Sequence, residues 1–438
     1  MARVIIIGGG VSGLGAARAI LAREPRAEVT VLEAAPRLGG NVRTVSREGR
    51  SFDAGPEAVP RTPVVVEALA DLGLDDETIP PARAPVLVAH AGRLLPLPSG
   101  LAAGTPDDLR ALAATPLLTW AGKARAALGI LMPRDHTRSP SAGALVEAQF
   151  GREVKERIFA PLYGAIHAAD VDRLDPALVT AILGDARRGV LRAAAGKRAM
   201  PPALVGLRGG MTSFVRALER RVGEARIVLG VRVDRIDRRD GVFRVWSDGQ
   251  LREAEHLVLA APTTESARLL ATLDRSLAEP LEAISTVSTA TVLLGFPGKV
   301  ELPHATGFLF ADAARHASLA ATIVTAKWHG GEGDTVLRVA VGGARSPRLV
   351  SSAHADELVD LVLADLRAYV HLPAPRWSAV TRFWNAVPVM ERGHAGRVSA
   401  LHDGLDEVKG LHVLGAFARP GIASCLEQAA TVAKTIAA

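Results

Sequence analysis

The run Gly8-Gly9-Gly10-Val11-Ser12-Gly13 constrains this chain more than any other stretch. It follows Val4-Ile5-Ile6-Ile7, a short β-branched run suited to a strand buried on both faces. Beyond it, Val11, Leu14, Ala17, Ile20 and Leu21 recur at three- and four-residue spacing, which predicts a helix with one apolar face. Glu24-Pro25 ends that helix, and Val29-Thr30-Val31-Leu32 returns as a parallel strand finishing at Glu33. In such a strand–turn–helix, Gly8 permits the tight turn, Gly10 lets a pyrophosphate approach the backbone, and Gly13 lets helix and strand pack closely. The helix start aims free N–H groups and a positive dipole end at the phosphates. Glu33 lies 20 residues past Gly13, where a carboxylate can accept from a ribose hydroxyl. A purely structural glycine turn leaves Glu33 unexplained, so the pattern predicts a dinucleotide cradle. Alone, it does not choose between NAD and FAD.

The rest of the chain sets bounds. Its 438 residues, 48% hydrophobic and 22% charged, make a globular profile with ample material for a core. Length suggests about two or three domains. A single cysteine, Cys425, excludes an intramolecular disulfide and a cysteine-rich metal site. The apolar run after Met1-Ala2-Arg3 is too short for a signal peptide, and no run is long enough for a membrane span. The expected location is cytoplasmic. The net charge of +6 attracts anionic partners: nucleic acid, acidic lipid or carboxylate-bearing substrates. No zinc-finger spacing or RNA-binding motif accompanies it, so nucleic acid is the weakest of the three. The basic stretch Arg187-Arg188, Arg192, Lys197 and Arg198 suits either a peripheral membrane contact or, more plainly, a solvated face.

Residues 63 to about 205 read as mainly helical, with proline breaks at Pro80-Pro81, Pro96 to Pro98 and Pro201-Pro202. A strand-like stretch runs from Arg226 to Ile236, with Val242 to Trp246 as its hairpin partner and His256 to Ala260 as another strand. Residues 286–296 and 335–341 are strand candidates, with helix near 353–370. The end repeats the opening theme: strand Leu411 to Leu414, a glycine turn, then helix from about Cys425 to Ile436. The two ends are therefore expected to fold together.

Several blocks carry a family resemblance. Arg37-Leu38-Gly39-Gly40 resembles the R-x-G-G extension of the FAD-dependent amine oxidase superfamily. Phe52-Asp53-Ala54-Gly55-Pro56 is similar to its segment that brings backbone close to the flavin, and Leu414 to Phe417 with Gly421 to Leu426 resembles the second flavin-binding stretch of the protoporphyrinogen and coproporphyrinogen oxidase family. Pro161 to Asp170, Leu207-Arg208-Gly209-Gly210-Met211, Val258 to Pro262, Lys327-Trp328, Val341 to Arg345 and Gly393-His394 resemble further blocks of that family, in its order. Three places depart from it. Glu57-Ala58-Val59 stands where a small polar pair is usual, Val389-Met390 where Q-Y is usual, and Arg419-Pro420 where a glycine is expected.

The resemblance implies an α/β fold: a Rossmann-type FAD-binding domain with a mixed-sheet substrate domain and a helical insertion. The expected bounds are 1–62, 206–262 and 400–438 for a discontinuous FAD-binding domain, 63–205 for the insertion and 263–399 for the substrate-binding domain. FAD would be held without a covalent bond by Gly8, Gly10, Val11, Ser12, Gly13, Glu33, Ala34, Arg37, Gly39, Gly40, Gly55, Pro56, Glu57, Val233, Ala260, Gly415, Gly421, Ile422 and Ala423. The implied reaction is oxidation of a porphyrinogen, a tetrapyrrole, to its porphyrin, with hydride passing to the flavin and O2 as final acceptor. Such chemistry belongs to the cofactor, and the protein supplies position and a dry pocket, so neither a triad nor a metal is expected.

Arginines are the natural grip for propionates. Arg61, just beyond Gly55-Pro56, is the candidate, against the plainer reading of a loop arginine. His167 can move protons near neutral pH or serve as a hydrogen-bonded structural histidine. Lys327 resembles the lysine that positions a water in some amine oxidases, or is simply salt-bridged. Phe308, Phe310, Phe383 and Trp384 are pocket walls or, by default, core. Three rivals stay open: a flavin amine oxidase, a carotenoid desaturase-like oxidoreductase and a non-catalytic FAD-binding paralogue. The first commonly uses an aromatic cage, whereas Tyr163 and Tyr369 are the only tyrosines and lie outside the C-terminal loop. Protoporphyrinogen and coproporphyrinogen are not separated by these residues, although the basic balance leans toward the more acidic one.

Overall fold

The computed structural model describes residues 1–99, 101–102, 104–132, 138–180, 203–312, 315–328 and 333–437. The basic stretch from Arg187 to Arg198 and the Pro201-Pro202 break lie outside the described residues.

Five strands form an all-parallel sheet in the order Ile227–Leu229, Glu28–Glu33, Arg3–Ile7, His256–Leu259, Leu411–Val413. Strand residues alternate faces, and here both faces are apolar. Val4 and Ile6 pack with the opening helix Val11–Arg23 and the final helix Ile422–Ile436, through Ala16, Ile20, Ala429 and Val432. Ile5 and Ile7 point the other way, into a cluster with Leu257, Leu259, Leu269, Leu277 and Leu401. The two ends of the chain thus share one sheet and one helical layer. At their contact a β-carbon on Gly15 would lie 3.0 Å from Leu426 Cδ2, so the two helices approach closely there.

A second, seven-stranded sheet runs Trp377–Pro388, Thr286–Gly295, Val336–Gly342, Ser318–Ile323, Gly307–Phe310, Val86–His90, Arg93–Pro96. It is antiparallel except where Gly307–Phe310 meets Val86–His90. Val292 and Leu294 bury one face beneath the helix Ala355–Arg367. Leu293, between them, faces the opposite side and meets Phe52 and Ala54. That second contact matters most for function, because it brings a segment from the N-terminal unit onto the sheet.

Several expectations are corrected. The 63–205 stretch is not helical throughout: Val86–His90 and Arg93–Pro96 are strands of the large sheet, and Thr78–Ile79 pairs with Leu204–Leu207. Period-two apolar runs this short are overshadowed in sequence by the helices that follow them. The helices proper, Leu109–Ala114, Trp120–Leu131, Ala142–Phe150 and Ala160–His167, surround Leu145, Ile158 and Phe159. The Arg226–Ile236 stretch splits: Ile227–Leu229 joins the parallel sheet, while Arg235–Arg239 forms the hairpin with Val242–Ser247. Helices Thr263–Leu273 and Arg275–Glu282 pack on the parallel sheet, not the large one, and position 400 falls inside helix His394–Asp406. Among the described residues no helix is long and apolar enough to cross a membrane.

Candidate flavin and substrate site

The glycine turn has the geometry its sequence predicts. Gly8 adopts φ +115°, and a β-carbon there would sit 2.4 Å from the Ala260 carbonyl oxygen, so the neighbouring strand His256–Leu259 ends against it. A β-carbon on Gly13 would lie 1.9 Å from the Gly8 oxygen, which makes glycine mandatory for the turn itself. Gly10 differs: a β-carbon there meets nothing within 4 Å. It opens the helix Val11–Arg23 with no side-chain cap, leaving the first-turn N–H groups facing open space. Gly421 opens the final helix in the same way, with no side-chain cap and nothing within 4 Å of its would-be β-carbon. Ile422 and Ala423 are buried just inside that helix.

Around the turn the remaining predicted contacts assemble. Glu33 accepts from Gly9 N–H at 2.6 Å and from Ala35 N–H at 2.7 Å, which fixes its carboxylate and leaves lone pairs for a hydroxyl. Gly39 N–H donates to the Gly9 carbonyl at 2.8 Å, and Gly10 and Gly39 form a β-bridge, docking the Arg37–Gly40 loop on the glycine turn. Arg37 donates to the carbonyls of Leu38 (2.9 Å) and Gly40 (2.7 Å), and burial, then nearby Arg43, lowers its pKa. Ala260 N–H bonds to Ile7 O at 2.8 Å. Buried Val233 gives its carbonyl to Arg268 at 2.6 Å. Ala34 is exposed, while Ser12 is buried beside Cys425. In the C-terminal loop Gln428 bridges Gly415, accepting its N–H at 3.1 Å and donating to its carbonyl at 3.2 Å. An open, anion-seeking helix start with an oriented acid at the neighbouring strand end fits a dinucleotide diphosphate.

From Asp53 to Glu57 the chain forms a strap held on one side by the large sheet and on the other by Thr44 and Met211. Arg338, on the large sheet, donates to the carbonyls of Asp53 (3.0 Å), Ala54 (3.2 Å) and Gly55 (2.8 Å). Thr291 Oγ1 donates to Ala54 O at 2.7 Å. From the other side, Thr44 Oγ1 (2.6 Å) and Met211 N–H (2.9 Å) donate to Asp53 Oδ1. Burial pushes the Asp53 carboxyl up to about 6 despite those bonds. Glu57, the residue at the unusual position, is ion-paired with Lys327 and accepts from Trp328 Nε1 at 3.3 Å. Burial drives its carboxyl upward, but Arg338 and Lys327 outweigh that and hold it below the ordinary value. A small cavity of about 20 Å3, open to solvent, adjoins this strap; Asp53, Glu57, Gly206, Arg208 and Trp328 line it.

Of the three candidate catalytic residues, only Lys327 joins the strap, as Glu57's partner. Arg61 is exposed, with its N–H on Ala203 O at 2.8 Å. His167 ends the helix Ala160–His167, against Tyr163. It is buried with no partner for Nδ1 among the described residues, and burial lowers its pKa. Phe308, Phe310 and Phe383 are core, whereas Trp384 is 57% exposed and is not. Arg338 and Thr291 were not singled out from the sequence. A lone arginine within Val336-Leu337-Arg338-Val339-Ala340-Val341 was the available signal, since a charge in an apolar strand needs a partner.

With this geometry in view, comparison with known proteins defines the class. The family described as flavin containing amine oxidoreductase matches residues 11–437, and the chain belongs to it. It is an oxidoreductase with a flavin cofactor. Coproporphyrinogen III oxidase of Bacillus subtilis (strain 168) is 28% identical over 97% of this chain and 96% of its own. Coproporphyrinogen III oxidase of Mycobacterium bovis is 30% identical over 91% of this chain and 90% of its own. A crystal structure from Exiguobacterium sp. 255-15, provisionally named a protoporphyrinogen oxidase, covers 100% of this chain and 98% of its own with TM-score 0.88 at 27% identity.

Proposed function

We propose that this chain binds FAD without a covalent link and oxidises coproporphyrinogen III to the porphyrin in haem biosynthesis, with O2 as final electron acceptor. The supporting observation is the likeness to coproporphyrinogen III oxidases along nearly the whole chain, 97% of it in the Bacillus subtilis case. The same blocks that support the reaction coincide with the cradle and the strap. The proposed division follows: a discontinuous FAD unit built on the parallel sheet and a substrate unit on the seven-stranded sheet, joined by the strap.

A bound flavin would supply the hydride acceptor. The chain's own work is to hold and exclude. The uncapped helix starts at Gly10 and Gly421 offer N–H groups to anionic or carbonyl oxygens. Glu33 is aimed for a ribose hydroxyl, with Gly8, Val11, Ser12, Gly13, Ala34, Arg37, Gly39, Gly40, Val233 and Ala260 around the nucleotide half. Gly55, Pro56 and Glu57 on the strap, with Gly415, Ile422 and Ala423, would flank the ring. Arg338 and Thr291 fix the strap so that its backbone does not move during the reaction. The Glu57–Lys327 pair sets the local charge near zero. Exposed Arg61 is a second-tier grip for a propionate; Arg61→Ala would raise KM with flavin content intact.

The test offers purified protein coproporphyrinogen III, protoporphyrinogen IX, a primary amine and a carotene in parallel. Porphyrin fluorescence should rise fastest with coproporphyrinogen III. Turnover of the amine or carotene alone would replace this reading with a rival, and flavin binding without any turnover would mark a non-catalytic paralogue.

A further inference from the structure

The helix Trp120–Leu131 is apolar on two sides. One side belongs to the core: Ala126, Gly129 and Ile130 are buried, and Leu145 and Phe150 share their cluster with Ala126 and Ile130. That side is enough to hold the helix in place. The other side has no such task, yet every exposed residue of the helix is apolar: Trp120, Ala121, Ala124, Leu128 and Leu131, with Met132 directly after. Trp120 is 80% exposed, Met132 62% and Leu131 60%. At about 3.6 residues per turn, these six form one band covering roughly a third of the circumference, about 18 Å long. A surface helix ordinarily sets charged and polar residues opposite its core stripe, and one that is apolar all round belongs in a protein interior or in lipid. A single exposed ring such as Trp384 needs no explanation; a contiguous band does.

Two cations border the band. Lys123 lies on the Trp120 edge, with Nζ 4.6 Å from the Trp120 ring centroid and donating to Ala113 O at 2.6 Å. Arg125 lies on the Met132 edge and donates to Ala148 O and, at 2.7 Å, to Gln149 O. Among the described residues neither is paired with a carboxylate, and the helix itself carries no acid. Glu153, at the start of the helix, is taken up by Thr119 and Arg157. An apolar band edged by uncompensated cations suits an anionic lipid surface, where the band enters the boundary between headgroups and acyl chains and the cations meet phosphate. A second copy of this chain suits it less, because two such faces brought together would set their cations against one another.

We propose that the face running from Trp120 to Met132 is a peripheral docking surface for an anionic lipid bilayer, on which the helix lies flat without crossing. The proposal does not depend on which reaction the chain catalyses.

The test centrifuges the purified, FAD-loaded chain with vesicles of phosphatidylcholine alone and of phosphatidylcholine mixed with phosphatidylglycerol. Wild type should sediment with the anionic vesicles, less with the neutral ones, and less again at high salt. The double variant Trp120→Glu, Leu131→Glu should lower the partition coefficient at least about tenfold, and Lys123→Gln should lower it by a smaller factor. Flavin content and urea midpoint matching wild type separate lost docking from lost folding. Vesicles should also shift the tryptophan emission of wild type to the blue, whereas Trp120→Phe should still sediment but lose that shift. Equal sedimentation of wild type and the folded double variant would overturn the proposal, as would a wild type that ignores anionic vesicles. In that last case size exclusion names the replacement. A dimer dispersed by the double variant would make the face a self-association surface, and a monomer would assign it to a protein partner; either result refutes the lipid assignment.

Discussion

The cradle and the strap are built on opposite principles. In the cradle, much of the geometry comes from residues near one another in sequence: Gly13 against Gly8 in the same turn, and Gly39 against Gly9 within the first forty residues. In the strap, the partners are hundreds of positions apart, Arg338 with Asp53 and Gly55, Lys327 with Glu57. A glycine turn at a helix start can therefore be specified by a short backbone rule, whereas the strap exists only after distant segments have come together.

The largest effect expected from that contrast is at Arg338. Arg338→Ala removes the donor to three strap carbonyls and strips Glu57 and Asp53 of a nearby cation. A loss of about 4 kcal/mol is expected in urea unfolding, with reduced flavin content. An unchanged urea midpoint would break the claim that long-range pairing holds the strap. Gly13→Ala should follow, costing about 3 kcal/mol because its β-carbon would meet the Gly8 oxygen at 1.9 Å. Thermal unfolding of the flavin-free protein measures it, and a stable variant would mean the turn can open.

Asp53 gives a change of the opposite sign. Its carboxyl sits at about 6 in the fold against 3.8 for a free one, so folding favours the protonated form. That contribution is complete below the lower value and fades as pH rises through the upper one. Asp53→Asn, which keeps an oxygen for Thr44 and Met211, should be more stable than wild type at neutral pH by about 2 kcal/mol. The gap should close as pH falls toward the free-carboxyl value, and a gap independent of pH would show that ionisation of Asp53 is not its cause. The smallest change in stability belongs to Gly10→Ala, within about 1 kcal/mol, because its β-carbon points into open space. Its FAD affinity should nonetheless fall at least about tenfold, measured by fluorescence titration of the flavin-free protein. Unchanged affinity would detach the open helix start from phosphate binding.

The same contrast explains what could be read from the chain alone. Val4-Ile5-Ile6-Ile7, the spaced glycines and Glu33 are contiguous, and each acts through backbone geometry that residue type largely determines. The end helix was readable for the same reason, although it begins at Ile422, after Gly421, and not at the expected Cys425. Val86–His90 was not, because its pairing with Gly307–Phe310 is decided by a segment more than two hundred positions away. Glu57 looked like a departure from the family pattern, and its sense appears only with Lys327 and Trp328 beside it. Helices Thr263–Leu273 and Arg275–Glu282 follow the parallel sheet in sequence and simply cover its open face, which their amphipathic pattern does not reveal.

The most direct test mixes the purified, FAD-loaded protein with coproporphyrinogen III in the absence of oxygen and follows the flavin absorbance. The account predicts rapid bleaching, then recovery of the oxidised flavin with growing coproporphyrin fluorescence once O2 is admitted. A flavin that stays oxidised beside excess coproporphyrinogen III and protoporphyrinogen IX would contradict it.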